Sequence, residues 1–177
     1  MSIQKNFPVT YNNEIYWISR AITVLGLVYA IPKDKEVYIL ANKRGPGTPN
    51  YRGYWNLPCG YLDFNETCKE ACIREIYEET GVKIPTVYLW TVADTPDDSK
   101  QNVCLRYYCY LDSLPEVSIG NFGGEKDEVS EVKWIKLSDI ENYKWAFNHI
   151  DIIKEFFSIG NPFGPIIDKS YLDGENT

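Results

Sequence analysis

GYLDFNETCKEACIREIYEETGV, Gly60 to Val82, is the stretch that decides how this 177-residue chain is read. It holds a glycine, a glutamate six places on at Glu66, the pair Arg74-Glu75, an apolar Ile76, the pair Glu78-Glu79 and a closing Gly81-Val82. With roughly 7% usage for each fixed residue and about a third for each apolar one, chance gives this pattern at a chosen start on the order of 10⁻⁹ of the time. The register is therefore under constraint. Thr67 followed by Glu70 makes a capping box, in which the hydroxyl covers a first-turn amide and the carboxylate reaches back. Gly81 suits the left-handed residue that closes many helices. The spacing predicts a helix from Cys68 to Thr80 with a loop on either side.

On such a helix Glu75, Glu78 and Glu79 stand at i, i+3 and i+4 and share a strip about one turn long. Like charges so close repel, and Arg74, four residues before Glu78, offsets part of that. A hard divalent cation with oxygen ligands is the natural counter-ion, and Mg²⁺ keeps waters while binding substrate phosphates as well. Three glutamates alone would read as a solvated helix face. Their register with Gly60, Glu66, Arg74 and Gly81 favours a metal site instead. Gly60 has no side chain, so its loop can run close to phosphate or metal and offer a carbonyl ligand. Glu66 precedes the cap, where a negative charge also complements the helix N-terminus. Both a structural and a functional role stay open for it.

Every fixed position of Gly60–Val82 matches the Nudix box, and the chain resembles the Nudix hydrolases, which cleave a diphosphate linked to another group, usually with magnesium. The resemblance implies an α+β fold, a Nudix-like α/β/α sandwich with a mixed sheet. It implies Glu75 and Glu79 as core metal ligands, with Glu78 assisting or binding a further ion and Arg74 orienting a carboxylate. The cation, Mg²⁺ or Mn²⁺, would stabilise charge on the phosphoryl oxygens and lower the pKa of an attacking water. Many members take their general base from a loop before a late strand. The run Glu128 to Trp134 resembles that segment, which makes Glu128 the first choice and Glu125 the second, against a plain hydrated acidic loop. The family often has a glycine pair where this chain has Cys59-Gly60. Nothing basic adjoins Cys59 in sequence, so a buried neutral thiol is expected.

Ahead of this stretch, Glu14 to Arg20 and Ala21 to Ile31 read as strands, and a polar turn at 32–35 returns the chain into Val37 to Asn42. Arg44 to Gly53 carries three glycines and two prolines and is a loop. Trp55 to Pro58 is a short extended run. Thr86 to Ala93 and Val103 to Leu111 read as strands joined by a turn at 95–100, and Val129 to Lys136 as another. Ser138-Asp139 caps a short helix through Tyr143, and Trp145 to Phe157 has apolar residues at helical spacing. Residues 1–160 form one domain on this reading, and 161–177 a loosely held tail.

Substrate contacts are sought in the loop ahead of the box. Lys43, Arg44 and Arg52 offer cations for a diphosphate or sugar. Tyr54, with Tyr51 and Trp55, offers rings for a base, unless these are ordinary loop and core residues. His149 reads as a surface or helix-capping histidine. The expected substrate is a nucleoside diphosphate derivative of the ADP-ribose or sugar-nucleotide type. The alternatives are an oxidised or ordinary nucleoside triphosphate, or a sensing module that binds without cleaving. The signatures of NADH-cleaving and coenzyme A-cleaving members are absent, and no run matches the cysteine and glutamate pair of the isoprenoid diphosphate isomerases.

Bulk properties agree. Apolar residues make up 44% and aromatics 15%, as in a globular chain. A net charge of −7 argues against nonspecific binding to nucleic acid or anionic membrane. Five cysteines without a CxxC pair, beside a single histidine, argue against structural zinc and for reduced thiols in the cytoplasm. The N-terminus lacks the pattern of a secretory signal. A homodimer through the N-terminal strands is compatible with the sequence, which does not decide it.

Overall fold

The computed structural model of the chain describes residues 6–94, 101–119 and 127–159. The turn expected at 95–100, the tail at 161–177 and Glu125 lie outside them. The chain opens with a two-stranded antiparallel ribbon, β1 (Phe7–Tyr11) against β2 (Glu14–Ile18). Asn12 and Asn13 turn it with φ of 50° and 63°, a left-handed conformation that asparagine tolerates. Sequence reading expected β2 but not β1. Val9 pairs with Tyr16 and Pro8 with Trp17, so apolar side chains leave the ribbon on both faces. That two-sided character defeats a search for alternation.

Seven strands form the main sheet: β3 (Ile22–Ala30), β4 (Tyr38–Arg44), β5 (Trp55–Asn56), β6 (Cys59–Tyr61), β7 (Tyr88–Asp94), β8 (Val103–Leu111) and β9 (Val129–Lys136). Central β3 pairs in parallel with β8 along its whole length, from Ile22↔Val103 to Ala30↔Leu111. Its other edge is shared. β6 takes Thr23 to Leu25, while β4 takes only Tyr29 and Ala30. β4 then leans away to pair with β9 on one side and β5 on the other. The stretch from Trp55 to Tyr61 crosses the resulting V, where Gly26 N–H donates to Pro58 O at 2.9 Å. This crossing places Cys59 and Gly60 at the centre of the molecule.

Helix α1 (Cys68–Thr80) covers one face of the sheet, burying Ala71, Cys72 and Ile76 against Val24, Val28 and Leu40. Each fully buried aliphatic of this kind contributes about 1.5–3 kcal/mol. Helix α2 (His149–Ser158) covers the other face, burying Ile152, Ile153, Phe156 and Phe157 against Leu27, Tyr29 and Ile39. Two helical layers on a mixed sheet are the α/β/α sandwich expected. No helix among the described residues is long and apolar enough to cross a membrane.

The last helix departs from expectation. It starts at His149 rather than Trp145, and a 3-10 turn, Leu137–Asn142, precedes it. Trp145 bridges Trp55 in a strand-like contact, Ala146 N–H donates to Trp55 O at 2.7 Å, and Phe147 sits at φ 55°. The apolar spacing there reflects burial against β5, not a helical face.

Candidate active site

Helix α1 begins and ends where its sequence dictates. Thr67 Oγ1 accepts from Glu70 N–H, Thr67 N–H donates to the Glu70 carboxylate, and Gly81 closes the helix at φ 72°. With both ends fixed, the glutamate strip faces the crossing at β6. Glu79 is 4% exposed, and its Oε2 accepts the Cys59 N–H at 3.0 Å. Glu75 lies against Gly60 so closely that a Cβ there would stand 2.1 Å from Glu75 Oε1. Only glycine fits.

Burial pushes the Glu75 carboxyl up to about 7, Arg74 opposing and Glu78 and Glu128 reinforcing the rise. Burial raises Glu79 well above the usual carboxylate range, and the charges of Glu75 and Glu128 add to it. Oxygen donors whose ionisation is resisted by their surroundings and by one another need a proton or a cation. The donor set is all oxygen, and the side chain missing at Gly60 lets the Glu75 carboxylate lie against the β6 backbone and its carbonyls. Both fit a hard divalent ion.

Arg74 organises the rest. Its Nε and Nη2 grip the two oxygens of Glu66 at 3.0 and 2.8 Å, and Nη2 also donates to Tyr61 O at 3.0 Å. Its Nη1 donates to Glu75 Oε1 at 2.8 Å and Glu78 Oε2 at 3.0 Å. Glu66, which Arg74 holds below the usual carboxylate range, thus anchors the guanidinium that orients Glu75. Glu78 turns to Arg74, and among the described residues no three ligating side chains converge on one point.

Glu128 stands on the loop before β9, half-buried, and its charge is felt at both Glu75 and Glu79. Its carbonyl accepts from Gly45 N–H at 2.6 Å and Asp127 O from Gly47 N–H at 2.9 Å, tying this loop to the glycine-rich one. Arg44, at the end of β4, donates from Nε to Asn50 O at 2.9 Å, and its charge reaches Glu79 and Cys59. Lys43 turns to Glu131 at 3.4 Å, beside the Trp55 ring. Arg52 Nε donates to Thr48 O at 2.7 Å within its own loop, and Tyr54 packs edge-on against Tyr51. Of the four expected substrate contacts, Arg44 has a charge that is felt at the buried Glu79.

Two residues read differently in three dimensions. His149 is buried, not superficial: its Nδ1 accepts the Leu57 N–H at 3.0 Å. Burial, with the charges of Arg44 and Arg106, lowers it to about 3, so it is neutral. Its place under the crossing comes from tertiary packing that no local pattern announces. Phe147, unmarked in the sequence, stands beside Arg44 with its ring 46% exposed. The Cys59 thiol is pushed well up by burial and by Glu79, the neutral state expected of it.

A family model described as NUDIX domain matches residues 21–156. The ADP-ribose pyrophosphatase of Methanocaldococcus jannaschii is 30% identical over 141 residues, which cover 79% of this chain and 75% of that one. Among solved structures, the NUDIX domain of Shewanella oneidensis NrtR complexed with ADP ribose superposes with a TM-score of 0.68 at 22% identity, over 80% of this chain and 89% of that one. A bifunctional NMN adenylyltransferase/ADP ribose pyrophosphatase from Francisella tularensis, complexed with AMP and a Mn ion, gives 0.61 at 28% identity, over 80% and 42%.

Proposed function

The chain belongs to the NUDIX family, and we propose that it splits the diphosphate of a nucleoside diphosphate derivative, of the ADP-ribose or sugar-nucleotide type. The products are a nucleoside monophosphate and the phosphorylated remainder. The observation that carries the reading is the pair of carboxyls at the crossing, half-buried Glu75 against Gly60 and buried Glu79 on the Cys59 N–H, both within reach of the Glu128 charge. An acidic helix face built only for solubility would lie in water. The archaeal relative, an ADP-ribose pyrophosphatase, supports the choice of substrate class.

In this reading Glu75, Glu79, Glu78 and the Gly60 carbonyl would hold Mg²⁺ or Mn²⁺. The cation, when bound, supplies charge stabilisation at the phosphoryl oxygens and acidifies the attacking water. Glu128 takes the proton of that water. Arg74 keeps the carboxylates in place, and Arg44 meets substrate phosphate, with Lys43, Arg52 and Tyr54 lining the approach. Residues 1–160 act as one domain and the protein works in the cytoplasm. A homodimer belongs to the same proposal, because the β1–β2 ribbon bares Ile15 and Trp17 on one face and Tyr11 on the other.

Glu79→Gln tests the site. A glutamine keeps an acceptor for Cys59 N–H and removes a charge that burial opposes. Turnover of ADP-ribose and sugar nucleotides with Mg²⁺ or Mn²⁺ should fall to background while the thermal midpoint holds or rises. Retained turnover, or an unfolded variant, would refute the assignment. Binding without hydrolysis by the wild type would favour the sensing module, and a preference for nucleoside triphosphates the other alternative.

A further inference from the structure

We propose that Tyr51 and Phe147 form an aromatic platform, held under backbone strain, on which the substrate's nucleobase stacks beside Arg44. The inference rests on the proposed nucleotide substrate and adds how the base is recognised.

Three observations meet there. Tyr51 and Phe147 sit at φ 56° and 55°, a left-handed conformation unfavourable for bulky residues and found most often at ligand clamps and active sites. Their rings touch, with centroids 4.7 Å apart and planes tilted by 58°, yet each stays 46% exposed. Lys35 and Gln101 take the same conformation in other turns, but among the described residues only here do two aromatic rings adopt it in contact with each other. The third observation is position. The Arg44 guanidinium lies 5.2 Å from the Phe147 ring centroid, and its charge reaches Glu79. A base on the platform therefore lies beside an arginine whose charge is felt at Glu79.

The strain persists because both loops are pinned. Trp55 N–H donates to Lys144 O at 2.8 Å and Ala146 N–H to Trp55 O at 2.7 Å, fixing the segment that presents Phe147. Arg44 N–H donates to Tyr54 O at 2.8 Å, and Tyr54 N–H to Tyr51 O at 3.0 Å, fixing the one that presents Tyr51. His149, buried beneath with its ring 5.3 Å from that of Phe147, supports the platform from below.

The test is calorimetric binding of AMP and of ribose 5-phosphate, which differ by the base, to wild type and to Tyr51→Ala, Phe147→Ala, Phe147→Gly and Phe147→Trp. The wild type should prefer AMP, and the alanine and glycine variants should lose about tenfold to a hundredfold in AMP affinity while ribose 5-phosphate changes little. Phe147→Trp should keep the preference. Phe147→Gly should melt above Phe147→Ala, since glycine adopts φ 55° freely. Equal binding of the two ligands by the wild type, or a preference that survives both alanine variants, overturns the platform. Because binding is read without turnover, base-dependent binding by a protein that hydrolyses nothing would refute the hydrolase reading and leave the platform standing.

Discussion

Gly60 shows how much one missing side chain can decide. Its backbone belongs to β6, paired Val24↔Gly60, and cannot retreat without breaking that ladder. A methyl there would stand 2.1 Å from Glu75 Oε1 and 2.3 Å from Cδ, so the flexible carboxylate has to move. Gly60→Ala should therefore leave the fold intact and displace Glu75, the proposed metal ligand, by the order of an ångström. A shift of that size costs about a hundredfold in rate. Steady-state kinetics beside a melting curve will check it, and a variant that turns over normally would mean that Glu75 is not held for catalysis. Arg74 makes the complementary case. It meets Glu66 in two parallel bonds and Glu75 and Glu78 through one nitrogen, a fork that lysine cannot copy. Arg74→Lys should keep the charge yet lower kcat by more than tenfold, with restoration by added guanidinium as the diagnostic result.

At the scale of elements, α1 is where sequence and structure coincide, and the reason is local chemistry. Thr67 with Glu70 and Gly81 at φ 72° fix both ends through contacts within a few residues. Thr67→Ala should cost about 1 kcal/mol in urea unfolding, as lost N-caps do. Gly81→Ala should cost about 1–2 kcal/mol, the left-handed penalty of a Cβ. An unchanged unfolding midpoint in either would show the caps to be redundant with tertiary packing. The glutamate strip was legible for the same reason, since helical geometry alone lines up Glu75, Glu78 and Glu79. What stayed hidden depended on contacts distant in sequence. β1 was missed because the ribbon is apolar on both faces. The start of α2 was misplaced because Trp145 and Ala146 are buried by β5, fully ninety residues back in the chain. His149 looked superficial for want of any local sign that Leu57 needs its nitrogen.

For the whole molecule, that histidine makes stability depend on pH with a definite sign. Burial and two arginine charges hold its folded pKa at about 3, against 6.5 when unfolded. Between these values the unfolded chain binds a proton that the folded one refuses, so this contribution is complete above pH 6.5 and drains away as pH falls towards 3. The slope is about 1.4 kcal/mol per pH unit, hence about 2 kcal/mol between pH 7 and pH 5. Glu75 and Glu79 act in the opposite direction. Their folded pKa values are raised, so they stabilise at low pH and lose that contribution as pH rises through the folded value, about 7 for Glu75. The wild-type profile mixes both slopes, and a difference separates them. His149→Asn places a non-titrating acceptor near the position of Nδ1, within reach of the Leu57 N–H. Urea unfolding in chelator should find the variant weaker at pH 7, because the ring packed on Phe147 is gone. The gap between the two proteins should then narrow by about 2 kcal/mol at pH 5. A gap of constant size would mean that the imidazole takes up its proton in the folded protein, and that the crossing of Trp55 to Tyr61 opens to water far more readily than its packing implies.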